Sequence, residues 1–166
     1  MQLRAENLII FVLFVGSRGI NYMDDFERIK YDGDYHTYGY YKTHKLKNNQ
    51  TIGIYFWKNE FSKSNDYVIL LAIANKKKHL RQLILGEKDI LTDHETGKCG
   101  LEGLLWGKNQ IVEFEKSVYC KDGDFISVYW TDNRRRDVYE HGLKKLGFVI
   151  GFRDGRKCLS KKIVKD

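Results

Sequence analysis

The sequence predicts a mixed α/β (α+β) domain. Three observations carry that reading. Residues 50–57 (QTIGIYFW) and 67–74 (YVILLAIA) are dense in β-formers. From Leu101 the apolar positions fall at helical spacing instead. A strand-like run at 125–130 (FISVYW), a basic helical stretch and a last pair of short strands then close the chain. The order is β-rich, then helix, strand, helix and hairpin, which calls for a mixed sheet.

Taken in turn, residues 24–30 suit a short helix, and 31–41, rich in tyrosine and glycine, an irregular strand or loop. Residues 50–57 and 67–74, joined by the polar stretch 58–66, form an antiparallel pair. The near-continuous apolar character of 67–74 implies burial on both faces. Residues 76–84 read as a further strand. In the helix that follows, Leu101, Leu104, Leu105, Ile111, Val112 and Val118 share one face. In the next helix Tyr139, Leu143 and Leu146 recur at i, i+4 and i+7, and Gly147 is placed to stop it. Residues 148–152 and 157–164 pair through Asp154-Gly155.

The chain has 166 residues, 42% apolar and 31% charged, which suits one domain over residues 23–166. Residues 1–22 are an apolar extension or a first strand. Their core, residues 8–15 (LIIFVLFV), is far shorter than the about 20 residues a membrane helix needs. It reads as a buried strand, a dispensable extension ahead of Met23, or a signal peptide or membrane contact. Stable membrane insertion is not expected. The three cysteines, Cys99, Cys120 and Cys158, have no CxxC spacing and read as reduced thiols of a cytoplasmic protein. Proline is absent, and lysine, asparagine and tyrosine are frequent. Such usage fits an AT-rich genome, for example that of a phage or another mobile element.

The net charge of +7 attracts nucleic acid, anionic cofactors or acidic partners without choosing among them. Tyr35, Tyr38, Tyr40 and Tyr41 with Lys42, Lys45 and Lys47 form an aromatic–basic stretch of the kind that stacks bases and holds phosphates. The same tyrosines also suit the alternating faces of one strand. The five histidines show no metal-ligand spacing, so no metal is expected. His94-Glu95-Thr96 fits half of a two-histidine phosphoesterase motif, and His36 and His44 do not supply the other half.

The strongest pointer to a small ligand is Gly97-Lys98-Cys99-Gly100, directly before the helix that opens at Leu101. The first N–H groups of a helix lack internal partners, and its dipole adds partial positive charge. Glycines let the backbone approach a phosphate, and Lys98 adds a charge. Cys99, near a helix start, is either a thiol of lowered pKa or a small residue that fits a tight turn. Arg134, Arg135 and Arg136 open the later helix, where cations oppose the dipole. They pair a phosphate, or else Asp137 or Glu140.

This turn, the apolar Leu104-Leu105, the strand Ile126-Ser127-Val128, the arginine-rich helix and the closing Leu146-Gly147-Phe148 resemble the GNAT acetyltransferase superfamily. The resemblance covers residues 91–148. It implies a mixed, mostly antiparallel sheet flanked by helices, with a central strand leading into the turn and helix. It also implies acetyl-CoA or a related acyl-CoA as ligand and an amine as acyl acceptor. The family's turn runs Gln or Arg, two residues, Gly, one residue, Gly or Ala; here those positions are His94, Gly97 and Cys99. Gly97, Lys98, Cys99 and Gly100, with Arg134 and Arg135, would hold the cofactor. The family's tyrosine acid falls at Leu143, and Tyr139, one turn earlier, is the substitute. The alternative implied by these departures is a non-catalytic GNAT-like domain that binds nucleic acid or a protein partner.

Overall fold

The structure is a computed structural model that describes residues 25–30, 38–59, 66–84, 101–130 and 133–165. Its strands are β1 (Glu27–Lys30), β2 (Tyr38–Lys45), β3 (Thr51–Asn59), β4 (Asp66–Ala74), β5 (Phe125–Val128), β6 (Val149–Arg153) and β7 (Arg156–Lys162). Its α-helices are α1 (Lys77–Ile84), α2 (Glu102–Lys116) and α3 (Asn133–Leu143). A 3₁₀ turn (Lys144–Leu146) extends α3. Among the described residues the strands form one sheet in the order β1-β2-β3-β4-β5-β7-β6. Every neighbouring pair is antiparallel except β4 and β5, which run parallel. The α+β class with a mostly antiparallel mixed sheet is therefore as expected.

Two helices cover one face of the sheet and α1 the other. On the α2 face lie Tyr40, Ile54, Phe56, Tyr67, Ile126 and Leu159, closed over by Ile111 and Phe114 of α2 and by Leu143 and Phe148. Phe114 stacks on Phe56 with ring centroids 3.8 Å apart. The other face gathers Ile29, Tyr41, Tyr55, Ala72 and Ala74 around Leu80 of α1. Leu80 is fully buried because Gly53 leaves room for it: a Cβ there would stand 2.7 Å from Leu80 Cδ2.

Several elements match the sequence reading. β3 pairs with β4 over its whole length, Thr51 opposite Ala74 through Asn59 opposite Asp66. β6 and β7 form the terminal hairpin, with Asp154 (φ 50°) and Gly155 (φ 75°) in the left-handed conformation of a tight turn. Gly147 (φ 88°) ends the 3₁₀ turn after α3, and Leu143 is buried beneath it.

Others differ. The helix expected over residues 24–30 is strand β1 at Glu27–Lys30. Phe26 and Ile29 look like one helical face, but three-residue spacing also serves the two faces of an extended chain. Phe26 joins the α2-side core, and Ile29 joins the α1-side core. The strand expected over residues 76–84 is helix α1. Its sequence, KKHLRQLI, is made largely of good helix formers, and the buried Leu80 seats it on the sheet.

The buried face of α2 is Gly103, Gly107, Gln110, Ile111 and Phe114, not the leucine face expected. Leu101, Leu104 and Leu105 are exposed, and Val118 lies beyond the helix end. Glycines carry no apolar signal, yet they let α2 sit directly on β4. A Cβ on Gly107 would come within 3.1 Å of Leu71.

The tyrosines of this core are acids held neutral. Burial raises the phenols of Tyr41, Tyr55 and Tyr67, that of Tyr41 to about 12. Burial likewise raises the Cys120 thiol to about 12 and the Cys158 thiol upward. An acid whose folded pKa is raised stabilises the fold fully below its unfolded pKa, and that contribution is lost as pH climbs above it. The loss therefore begins above pH 9 for the thiols and pH 10 for the tyrosines, the unperturbed values. We expect cooperative alkaline unfolding between about pH 10 and 12. Phenolate absorbance of the buried tyrosines should rise together with the loss of sheet circular dichroism. Titration of all 11 tyrosines near pH 10 in a protein that keeps its dichroism would contradict this burial.

Candidate functional site

Among the described residues, the sheet opens at the parallel junction of β4 and β5. It has three rungs, Asp66 with Phe125, Tyr67 with Ile126 and Val68 with Ser127. β4 continues to Ala74, whereas β5 stops at Val128. Among the described residues, β4 beyond Val68 has no strand partner on its β5 side. The result is a wedge, closed at the start of the two strands and open at their carboxyl ends. This explains a departure from the sequence reading: Val68, Ile69, Leu70 and Leu71 are half-buried, not covered on both faces.

The closed end is locked by a buried ion pair. Asp66, 3% exposed, receives both arms of Arg153, with Arg153 Nη2 to Oδ1 at 2.8 Å and Nε to Oδ2 at 3.0 Å. The guanidinium also lies 3.8 Å from the centre of the Phe125 ring. β4 is thereby tied across β5 and β7 to β6.

The open end collects helix starts. α2 begins beside the β2–β3 turn, where Glu102 accepts the Lys47 N–H at 3.3 Å. That turn leads into Thr51, the partner of Ala74 at the carboxyl end of β4. Leu101, at the N-cap of α2, makes no side-chain capping bond. Leu101 thus leaves the first N–H donors of α2 without a capping side chain of its own, and Glu102 is engaged with Lys47. α3 starts beyond the carboxyl end of β5, which points the same way because the strands are parallel. In an open sheet, the crevice outside the carboxyl ends of such strands is where ligands bind.

The residues singled out from sequence distribute unevenly. Gly97, Lys98, Cys99 and Gly100 lie outside the described residues, as do His94 and Tyr35. Arg134 and Arg135 sit in the first turn of α3, Arg134 exposed and Arg135 half-buried. Arg136 pairs with its neighbour Asp137 at 2.7 Å. Tyr139, half-buried, packs against the α2-side core. The central strand does not run straight into the glycine turn: α1 intervenes on the opposite face.

The aromatic–basic stretch is not a continuous stacking surface. Tyr40 and Tyr41 are buried on opposite faces, and Lys42 pairs with Glu113 at 2.9 Å. Cys120 and Cys158 are free, buried thiols that burial keeps protonated. Nothing local in the sequence marks the wedge, since strand direction leaves no local signal, and Asp66 and Arg153 are too far apart in the chain to stand out as a pair.

Among the described residues no helix is long and apolar enough to cross a membrane, and no group of His, Cys, Asp and Glu gathers as a metal site. Neither the known protein families, nor the curated proteins, nor the solved structures contain a match to this chain.

Removing one partner of a buried pair leaves the other charge uncompensated. Asp66→Ala should lower the unfolding free energy by about 3 kcal/mol in urea titration. A variant as stable as the parent would mean that the closed end does not depend on this pair.

Proposed function

We propose that the chain is a GNAT-like domain that binds acetyl-CoA or a related acyl-CoA in the wedge and passes the acyl group to an amine. The observation that carries the reading is the parting of β4 from β5 after three rungs. Backbone groups along a strand without a neighbour need hydrogen-bond partners. The pantetheine arm of an acyl-CoA is a narrow chain with its own amides. It can lie along β4 as an added strand does. Its phosphates would then face the helix starts, where the Gly97-Lys98-Cys99-Gly100 turn precedes α2 and where Arg134 is exposed.

In this reading a neutral amine attacks the thioester carbon. Backbone N–H groups of β4 polarise the carbonyl, the CoA thiolate leaves, and the attacking nitrogen gives up its proton to a general base. Tyr139, on the helix that follows β5, is the candidate donor of a proton to that thiolate. The free thiols Cys120 and Cys158 suit the reducing cytoplasm in which acyl-CoA is used. One observation favours a binding role without catalysis: Leu143, at the family's acid position, is a buried core residue.

Thermal unfolding with and without acetyl-CoA tests the proposal. Ligand at 100 times its dissociation constant adds about 2.7 kcal/mol, a rise of several degrees for a domain of this size. Gly97→Asp should abolish the rise by placing a carboxylate at the phosphates. Tyr139→Phe should keep the rise but lower kcat for acyl transfer with little change in KM. No rise with either acetyl-CoA or free CoA would refute the reading. Nucleic-acid affinity falling steeply with salt would then support the binding alternative.

A further inference from the structure

The helical face of the sheet carries a second feature, at the end of α2 remote from the wedge. There the chain leaves α2 at Lys116 and loops back toward β5. This loop and the adjacent strands enclose a pocket of about 200 Å³ lined by Tyr38, Tyr40, Lys58, Tyr119, Lys121 and Asp124, among others.

Its walls are rigid aromatic surfaces. Tyr119 stacks on Tyr40 with centroids 4.0 Å apart, and Tyr38 meets Tyr40 edge-on at 6.0 Å. The Tyr119 carbonyl accepts the Tyr67 hydroxyl at 2.9 Å, which fixes the loop to β4. Behind them Tyr40 packs against Phe114 of α2. The wall is therefore part of the core and is formed before any ligand arrives.

Among the described residues its lining is more basic than acidic. The Arg28 guanidinium lies 4.5 Å and the Lys58 ammonium 5.4 Å from the centre of the Tyr38 ring. Among the described residues, Arg28, Lys58 and Lys121 have no carboxylate partner. The lone acid, Asp124, is buried, and its carboxylate accepts the Lys121 N–H at 2.8 Å. The described lining thus holds two cations, Lys58 and Lys121, and one carboxylate already held by the backbone, with Arg28 behind them on Tyr38.

Size narrows the ligand. Sites for drug-sized molecules begin near about 300 Å³, so this pocket suits one substituted ring, not a whole CoA or a run of stacked bases. We propose that it binds a small aromatic anion, a single six-membered ring bearing a phosphate or carboxylate. The ring lies against the tyrosines, and the anion meets Lys58 and Lys121. Aromatic stacking and the unpaired cations supply complementary parts of the recognition. This site stands apart from the acyl-CoA reading and survives its failure.

Calorimetric titration of the full chain with phenyl phosphate tests the proposal, with inorganic phosphate and phenol as partial probes. Saturable binding is expected with a dissociation constant below about 1 mM, tighter than for either fragment. Uridine monophosphate and phosphotyrosine, titrated in parallel, distinguish a nucleotide source from a phosphorylated side chain. Lys58→Gln with Lys121→Gln should weaken binding by about tenfold or more while the melting temperature holds, since Lys121 is exposed and Lys58 lies at the pocket margin. Tyr38→Leu should weaken phenyl phosphate more than inorganic phosphate. Absence of saturation up to about 10 mM phenyl phosphate, equal affinity for inorganic phosphate, or unchanged affinity in the double lysine variant would overturn it.

Discussion

Everything in this architecture depends on one parallel contact. β4 and β5 are the sole parallel neighbours among the described strands. A hairpin cannot join parallel strands; the chain must cross from one end of the sheet to the other. Here the crossover contains α2, laid along the face that carries Ile54, Phe56 and Tyr67. Burying α2 there requires large apolar groups at its far end and almost none at its near end. Phe114 provides the first, stacked 3.8 Å from Phe56, and Gly103 and Gly107 provide the second. Truncating a buried phenylalanine of this kind typically costs about 3–5 kcal/mol, so Phe114 is the natural anchor of the crossover. The helix is pinned on its flanks as well, by Glu113 with Lys42 of β2 and Glu115 with Lys161 of β7.

The same contact explains why the sheet is closed at one end and open at the other. Right-handed strand twist rotates neighbours against each other, and with only three rungs nothing holds β4 and β5 together past Val68 and Ser127. The Asp66–Arg153 pair works at the opposite end, where it is 87 residues apart in sequence but bidentate in space. A buried ion pair is a weak source of net stability but a strong specifier of geometry when both partners are satisfied. Its position at the first rung anchors the closed end, two rungs before the strands part.

The legible part of the fold is what local pattern encodes. Residues 50–57 and 67–74 announce β3 and β4 by β-branched and aromatic density, and Asp154-Gly155 announces the hairpin by turn chemistry. Leu143 and Gly147 announce the end of the α3 segment. What stayed hidden is what distant segments decide. β1 and α1 take their form from the core they join: Ile29 and Leu80 each complete the cluster around Tyr41 and Tyr55. The buried face of α2 carries no apolar signal because close contact there is made by the absence of a side chain at Gly107. Of the candidate site, the sequence offered the glycine turn and the arginine run, both local. It offered no hint of the parted strands; of the pocket it marked only Tyr38 and Tyr40, which meet Tyr67 and Tyr119 once the crossover is made.

The placement of charge follows from that crossover too. Glu113 and Glu115 are engaged along the flanks of α2, and Asp66 and Asp124 are buried and bonded at the remote end of the sheet. These four acids are drawn into structural contacts, while a few of the described cations stand near the two ends of α2. At one end the exposed Arg134 borders the wedge; at the other Arg28, Lys58 and Lys121 surround the tyrosines. A net charge of +7 spread evenly would act only as a diffuse field, screened within about 8 Å at physiological salt. Concentrated at concave ends with apolar walls, it is felt where water is partly excluded and the local dielectric is lower. Both proposed sites, the wedge and the tyrosine pocket, would draw on such local charge and not on the composition as a whole.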